Sequence, residues 1–278
     1  MYTEYWRLKE DPFANSTDTR FVYMSEQHKE GLARLLYVAR EHKSCAVLTG
    51  DYGTGKSLVR QLLLGELAKV GDFAIAVLDN PLIGADALLD DVLVQISERQ
   101  PVSFSSRGAA LRELREVFAA RAKLGFHNLI LVEDAHLLAD RSSLEQLRQL
   151  MNLYDDRGQP LLSVMFFGHS SLDQVFAKSQ ALQQYISSSW FLEPFTGEQT
   201  REYVTRRLSV AGGNAWIFDD AAVAEIHRYT GGVARLINNL GDLALYLGMS
   251  ENAVRVDASI VGRIIADIDK STGKRGVE

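Results

Sequence analysis

Cysteine is nearly absent from this chain. Cys45 is the single one in 278 residues, which excludes a disulfide framework and a thiolate metal cluster and fits a reducing compartment. Set in a short apolar run, Cys45 reads as a buried strand residue, the usual place of a free cysteine. Long apolar runs are missing too. No stretch approaches the roughly 18 residues of a membrane span, and the charged, aromatic start from Met1 to Asp11 is unlike a signal peptide, so the cytoplasm is the expected location. Basic charge is not in excess: 30 Lys and Arg against 36 Asp and Glu leave a net charge of −6. Partners with a phosphate backbone are usually met by a basic patch, so the charge balance does not favour nucleic acid.

What is present is a 46% hydrophobic composition, enough to bury a sizeable core. The first 25 residues are irregular and aromatic-rich (Tyr2, Tyr5, Trp6, Phe13, Phe21, Tyr23), broken at Pro12, and read as an arm that packs on something. Leu32, Leu35, Leu36 and Ala39 then recur at helical spacing from Glu26 to about Glu41. Short apolar runs follow at Cys45 to Thr49, Phe73 to Leu78, Leu129 to Val132, Leu161 to Phe167 and Trp190 to Leu192, with helical stretches between them and a loop over Gln100 to Arg107. Strands alternating with helices imply an α/β fold, a parallel sheet covered on both faces. After Pro194 only helical stretches remain, at Gly197 to Ala211, Ala221 to Tyr229, Val233 to Leu247 and Ala258 to Asp269. The expected organisation is an arm (1–25), an α/β core (26–195) and a small all-α lid (196–278).

The run Gly50-Asp51-Tyr52-Gly53-Thr54-Gly55-Lys56-Ser57, continued by Leu58, satisfies the pattern GxxxxGK[ST] between an apolar strand and an amphipathic helix expected over Leu58 to Lys69. That context is what gives the pattern chemical meaning. Its glycines let backbone N–H groups and the helix N-terminus face a phosphate. Lys56 would reach the β and γ phosphates of ATP, and Ser57 would offer its hydroxyl to Mg²⁺. A second half of the site follows the strand Leu129 to Val132, where Glu133 and Asp134 stand at the strand's C-terminal end, the edge where α/β sheets bind ligands. Glu133 would hold the metal through water, and Asp134 would orient and deprotonate the attacking water. The next helix is expected near Leu137.

With these motifs in place the sequence resembles the ExeA-like AAA+ ATPases of the general secretion pathway, and in size the stand-alone MshM-type relatives of pilus biogenesis. The likeness runs from Met1-Tyr2 and Asp11-Pro12-Phe13 through Ser25-Glu26-Gln27-His28 and the phosphate loop. It continues at Glu133-Asp134-Ala135-His136-Leu137-Leu138, Phe167-Gly168-His169, Arg207-Leu208 with Ala211-Gly212, and Gly231-Gly232-Val233-Ala234-Arg235-Leu236-Ile237-Asn238. The resemblance implies that Arg235 is a lid arginine sensing the γ-phosphate, and that His169 stands where such proteins carry a polar sensor. It also makes Pro12, Phe13 and Met24 candidates by position for lying near the base, although ordinary packing of the arm accounts for them as well. A homo-oligomer and a protein partner in an envelope machine, a secretion system or pilus, are further implications.

Two departures bear on rate. Such proteins usually carry Asp then Glu after the strand, whereas here Glu133 precedes Asp134. They also tend to place an arginine before the fifth strand, where Tyr185 stands here; from Gly168 to Leu192 there is no arginine, and Lys178 is the only cation. Arg157 and Arg141, on other loops, are candidate substitutes. Arginine fingers contribute roughly 10³ to 10⁵ in turnover, so slow hydrolysis is expected. Two other classes share the motifs: a DNA-binding regulator of the MuB and TniB transposition type, and a nucleotide switch without turnover. In the lid, Arg201, Arg206, Arg207, Arg228 and Arg235 are offset by Glu202, Asp219, Asp220 and Glu225, which disfavours the first.

Overall fold

The computed structural model describes residues 2–16, 18–97, 106–138, 141–177 and 180–271. Along the chain the elements are α1 (Tyr2–Tyr5), α2 (Glu26–Arg40), β1 (Cys45–Gly50), α3 (Lys56–Val70), β2 (Phe73–Leu78), α4 (Ala85–Ser97), α5 (Arg107–Lys123) and β3 (His127–Val132). They continue as α6 (Arg141–Met151), β4 (Leu162–Gly168), α7 (Leu172–Ala177), α8 (Gln180–Gln183), β5 (Ile186–Leu192), α9 (Gly197–Val210), α10 (Asp220–Thr230), α11 (Ala234–Ser250) and α12 (Ala258–Ser271). The chain divides into two compact units. One comprises residues 26–51 and 55–192, the other residues 1–25, 52–54 and 193–278.

The larger unit is a five-stranded sheet, parallel at every pairing, in the order β2-β3-β4-β1-β5. β1, β3 and β4 are buried at every position, as largely apolar strands in a sheet covered on both faces are. One face (Val47, Ala76, Ile130, Val132, Val164, Phe166) packs on α4, α5 and α6 through residues such as Leu89, Leu114 and Leu147. The other face (Ala46, Leu48, Leu129, Leu131, Met165, Phe167) packs on α2 and α3 through Leu35, Val38, Val59 and Leu63. Cys45 lies fully buried in β1, as its apolar neighbours imply. The expected α/β architecture with a parallel sheet is therefore the one observed.

Local differences have local causes. β5 starts at Ile186, four residues before the apolar signal, because it is an edge strand whose Ser187 and Ser189 face outward and disguise the alternation. Among the described residues no α-helix begins near Leu137. Residues Ala135–Leu137 form a single 3-10 turn, and α6 starts only at Arg141. α3 starts two residues earlier than its apolar face suggests, at Lys56. The loop expected over Gln100 to Arg107 lies outside the described residues up to 105. Arg107 already opens α5, and Ser106 caps it by accepting a hydrogen bond from the Ala109 N–H. Lys178 also lies outside the described residues.

The smaller unit unites the arm with the helices that end the chain. Contrary to the irregular reading, the arm contains a helical turn at Tyr2–Tyr5 and a 3-10 turn at Thr19–Phe21. Most of its apolar side chains are core: Tyr2, Trp6, Leu8, Phe13 and Phe21 share one apolar cluster with Val204, Leu208, Ile226, Leu240 and Ile264, while Tyr5 is exposed. Trp6 satisfies its ring N–H on the Leu245 carbonyl at 2.8 Å, as a buried indole requires. Phe13, 2% exposed, lies over Gly241. The Gly231-Gly232 pair has two distinct reasons. Gly231 ends α10 in a left-handed cap, whereas Gly232 (φ 80°) lies so close to Phe195 that a Cβ there would sit 1.9 Å from the Phe195 carbonyl oxygen.

Candidate functional site

The register of the larger unit brings its polar residues to one edge. Leu78 pairs with Val132, Val132 with Phe166, and Thr49 with Gly168. Asp79, Glu133, His169 and the loop after Gly50 therefore all emerge at the C-terminal ends of adjacent strands. Gly55 caps α3 in a left-handed conformation (φ 104°) and, having no side chain, contributes no side-chain cap to that helix end. A Cβ at Gly55 would lie 2.7 Å from the His28 ring nitrogen, so backbone conformation and the buried His28 both require glycine there. The first turn of α3 begins with its N–H groups at a positively polarised helix end.

Lys56 opens α3, and its ammonium donates to the carbonyls of Gly50 and Asp51, each at 2.8 Å. Ser57 follows it and is exposed. Glu133, at the end of β3, is largely buried and ion-paired: the Arg60 Nε lies 2.5 Å from its Oε1, a charge contact that is not an aligned hydrogen bond. Burial pushes the Glu133 carboxyl above the usual range, and the Arg60 charge opposes that shift. Asp134 is built differently. Its backbone is left-handed (φ 44°), where Asp is tolerated better than most residues, and its side chain is half exposed.

Two histidines join the carboxylate turn to the end of β4. The His169 backbone N–H donates to His136 Nδ1 at 3.2 Å, and the two rings stand 6.0 Å apart. Burial holds the His136 imidazole below its ordinary pKa. His169 Nδ1 accepts from the Ser171 N–H at 3.2 Å, which leaves the proton of a neutral ring on Nε2, and Nε2 lies 3.5 Å from Asp51 Oδ1 in the phosphate loop. Within this unit, Gly50, Asp51, Gly55, Lys56, Ser57, Leu58, Glu133, Asp134 and His169 thus lie along one sheet edge. Tyr52, Gly53 and Thr54 group with the smaller unit, where the Arg235 N–H, in the first turn of α11, donates to the Gly53 carbonyl at 3.3 Å.

Sequence reading missed Arg60, Asp79 and the link made by His136. Arg60 had a signal: it falls four residues after Lys56, one turn along the same side of the helix. Tyr185 does stand immediately before β5, and its hydroxyl donates to Asn152 at 3.3 Å.

Residues 39–176 match a family model described as AAA domain. Over its whole length the chain is 33% identical to General secretion pathway protein A of Aeromonas hydrophila. It carries an AAA+ ATPase domain. The chain spans about half of that relative, 51% of its length. Among solved structures, the AAA+ ATPase domain and the helices after it resemble the Aeropyrum pernix ORC2 protein (TM-score 0.64, 14% identity, 93% of this chain and 71% of that one). They also resemble Cdc6p of Pyrobaculum aerophilum (0.66, 15%, 90% and 68%) and the Thermotoga maritima RuvB Holliday junction branch migration motor (0.60, 17%, 94% and 74%). At such identities the likeness concerns the AAA+ fold alone. The matched span contains Lys56, Glu133, Asp134, His136 and His169, while Arg235 lies beyond it. No helix among the described residues is long and apolar enough to cross a membrane.

Proposed function

We propose that this chain binds MgATP at the edge formed by the phosphate loop, Glu133 and Asp134, hydrolyses it slowly, and uses nucleotide state to control self-assembly or the binding of a partner. The observation that carries the reading is the convergence of Lys56, the glycine-capped N-terminus of α3 and the Glu133-Asp134 pair at one sheet edge. The donors fit the ligand. Backbone N–H groups and an ammonium suit phosphate, and the Ser57 hydroxyl with the Glu133 carboxylate are hard oxygen donors of the kind Mg²⁺ takes alongside phosphate oxygens and water. Bound there, the metal would neutralise charge on the transferring phosphoryl group.

In this reading Lys56 leaves the Gly50 and Asp51 carbonyls for the β and γ phosphates, and Gly50 to Leu58 wrap the phosphates. Asp134, the more exposed carboxylate, orients and deprotonates the attacking water. His169 donates from Nε2 toward the γ-phosphate or that water, and Arg235 senses the γ-phosphate from the lid. Kinship with General secretion pathway protein A supports service in a secretion machine, and a homo-oligomer in the cytoplasm acting in a secretion system or pilus completes the proposal. The test is direct: titrate the purified chain with ATP with and without Mg²⁺, and follow its mass as nucleotide is added. Absence of binding at millimolar ATP would overturn the site, and an unchanged mass with bound ATP would overturn nucleotide-controlled self-assembly.

A further inference from the structure

Arg60 lies in α3, one turn beyond Lys56, and is shared by two carboxylates from neighbouring strand ends. Its Nε is 2.5 Å from Glu133 Oε1 and its NH1 is 3.6 Å from Asp79 Oδ1. The contacts are unequal in surroundings: the Arg60 and Glu133 side chains are 23% and 14% exposed, that of Asp79 73%. An ionised carboxylate as buried as Glu133 is costly without a cation beside it, and the pairing oxygen of Glu133 is wholly shielded from solvent. The arginine therefore compensates a charge and selects where that charge points. The same contact ties the helix that opens at the phosphate loop to the ends of β2 and β3.

We propose that Arg60 is a positioning residue for the metal carboxylate: by holding one oxygen of Glu133 it aims the rest of the group at the Mg²⁺ that accompanies nucleotide. This rests on the MgATP reading above. Mg²⁺ demands near-ideal octahedral geometry, and loss of a partner that orients a metal ligand typically costs about 10- to 100-fold in metal affinity. Nucleotide contacts made by the loop and Lys56 do not involve Arg60. Its removal should therefore weaken the metal-dependent part of nucleotide affinity and leave the metal-free part in place.

The experiment compares the affinity of N-methylanthraniloyl-ADP in Mg²⁺ and in EDTA for the wild type, Arg60→Met, Arg60→Gln and Arg60→Lys. The expected result is that the ratio of the two affinities falls about tenfold or more in Arg60→Met and Arg60→Gln and recovers in part in Arg60→Lys, with EDTA values close to wild type. A ratio unchanged within about twofold in both neutral variants would overturn the proposal, as would an equal loss in Mg²⁺ and EDTA, which marks a general loosening of the fold. A wild type that binds the nucleotide without any effect of Mg²⁺ would overturn it while leaving the nucleotide site standing. A wild type that binds no nucleotide in either condition overturns the MgATP reading and this proposal together.

Discussion

The Lys56 ammonium donates to the Gly50 carbonyl at 2.8 Å, so the lysine is folded back onto the loop that precedes it, with a second bond of equal length to Asp51. Those two bonds hold the cation at the mouth of the loop. Lys56→Ala removes it and with it two or more charge-assisted hydrogen bonds to phosphate, each worth about 1.5 to 3 kcal/mol. Nucleotide affinity should fall on the order of 100-fold or more, and the bonds lost to Gly50 and Asp51 lie within the loop itself. Calorimetric titration of both proteins with ADP checks this, and affinity within threefold of wild type would show that the phosphates bind elsewhere.

Turnover of the wild type should lie well under about 1 s⁻¹, the low end of typical enzymes. The carboxylate pair is inverted, Glu133 before Asp134, and no arginine stands at Tyr185 to stabilise the transferring phosphoryl group. Exchanging the carboxylates (Glu133→Asp with Asp134→Glu) should raise the rate modestly. It should also cost on the order of 1 kcal/mol of stability, because position 134 is left-handed and Glu lacks the local tolerance of Asp there. Adding Tyr185→Arg should help further only when subunits associate. Phosphate release measured across protein concentration tests both statements. Fast, concentration-independent release by the wild type would contradict them and point to an arginine such as Arg157.

Gly232→Ala places a methyl group 1.9 Å from the Phe195 carbonyl oxygen at a residue with φ 80°. Backbone on both sides must yield, and the Phe195 N–H to Gly232 carbonyl bond of 2.9 Å goes with it. A loss of roughly 3 kcal/mol or more is expected, read as a lower urea midpoint. Gly65→Ala, where a methyl group meets nothing within 4 Å in the middle of α3, should stabilise slightly. Equal midpoints for the two variants would mean that the close approach is absent in solution.

His127 supplies a pH dependence remote from the phosphate edge. It stacks on His42 with ring centroids 4.0 Å apart and pairs with the Ser163 hydroxyl at 2.8 Å. Burial, with the neighbouring His42 adding to it, pushes its pKa down to about 3. Between about 6.5, the unfolded value, and about 3, the unfolded chain binds more protons than the folded one. Stability should therefore be full above pH 6.5 and fall as the pH drops, by up to about 1.4 kcal/mol per unit. His127→Gln should flatten that slope in urea unfolding at pH 7 and pH 5. Parallel slopes for the two proteins would assign the acid sensitivity to other groups.

The fold and half of the site were legible in the chain because both rest on local patterns. Buried parallel strands are mostly apolar, so β1, β3 and β4 announce themselves by their apolar runs, and a phosphate loop needs its glycines, Lys56 and Ser57 in consecutive order. β5 was half hidden because an edge strand shows solvent a row of serines, and the turn at Tyr2–Tyr5 is too short to have a periodicity. Arg60 shows only its place one turn after Lys56; its ion pair with Glu133, the bond from His169 to His136 and the approach of Gly232 to Phe195 left no pattern. Each joins residues that are distant along the chain and become neighbours only through strand register or helix packing. Residue order is enough to write a site whose parts are contiguous, whereas the charge, tautomer and aim of those parts depend on which groups folding places beside them.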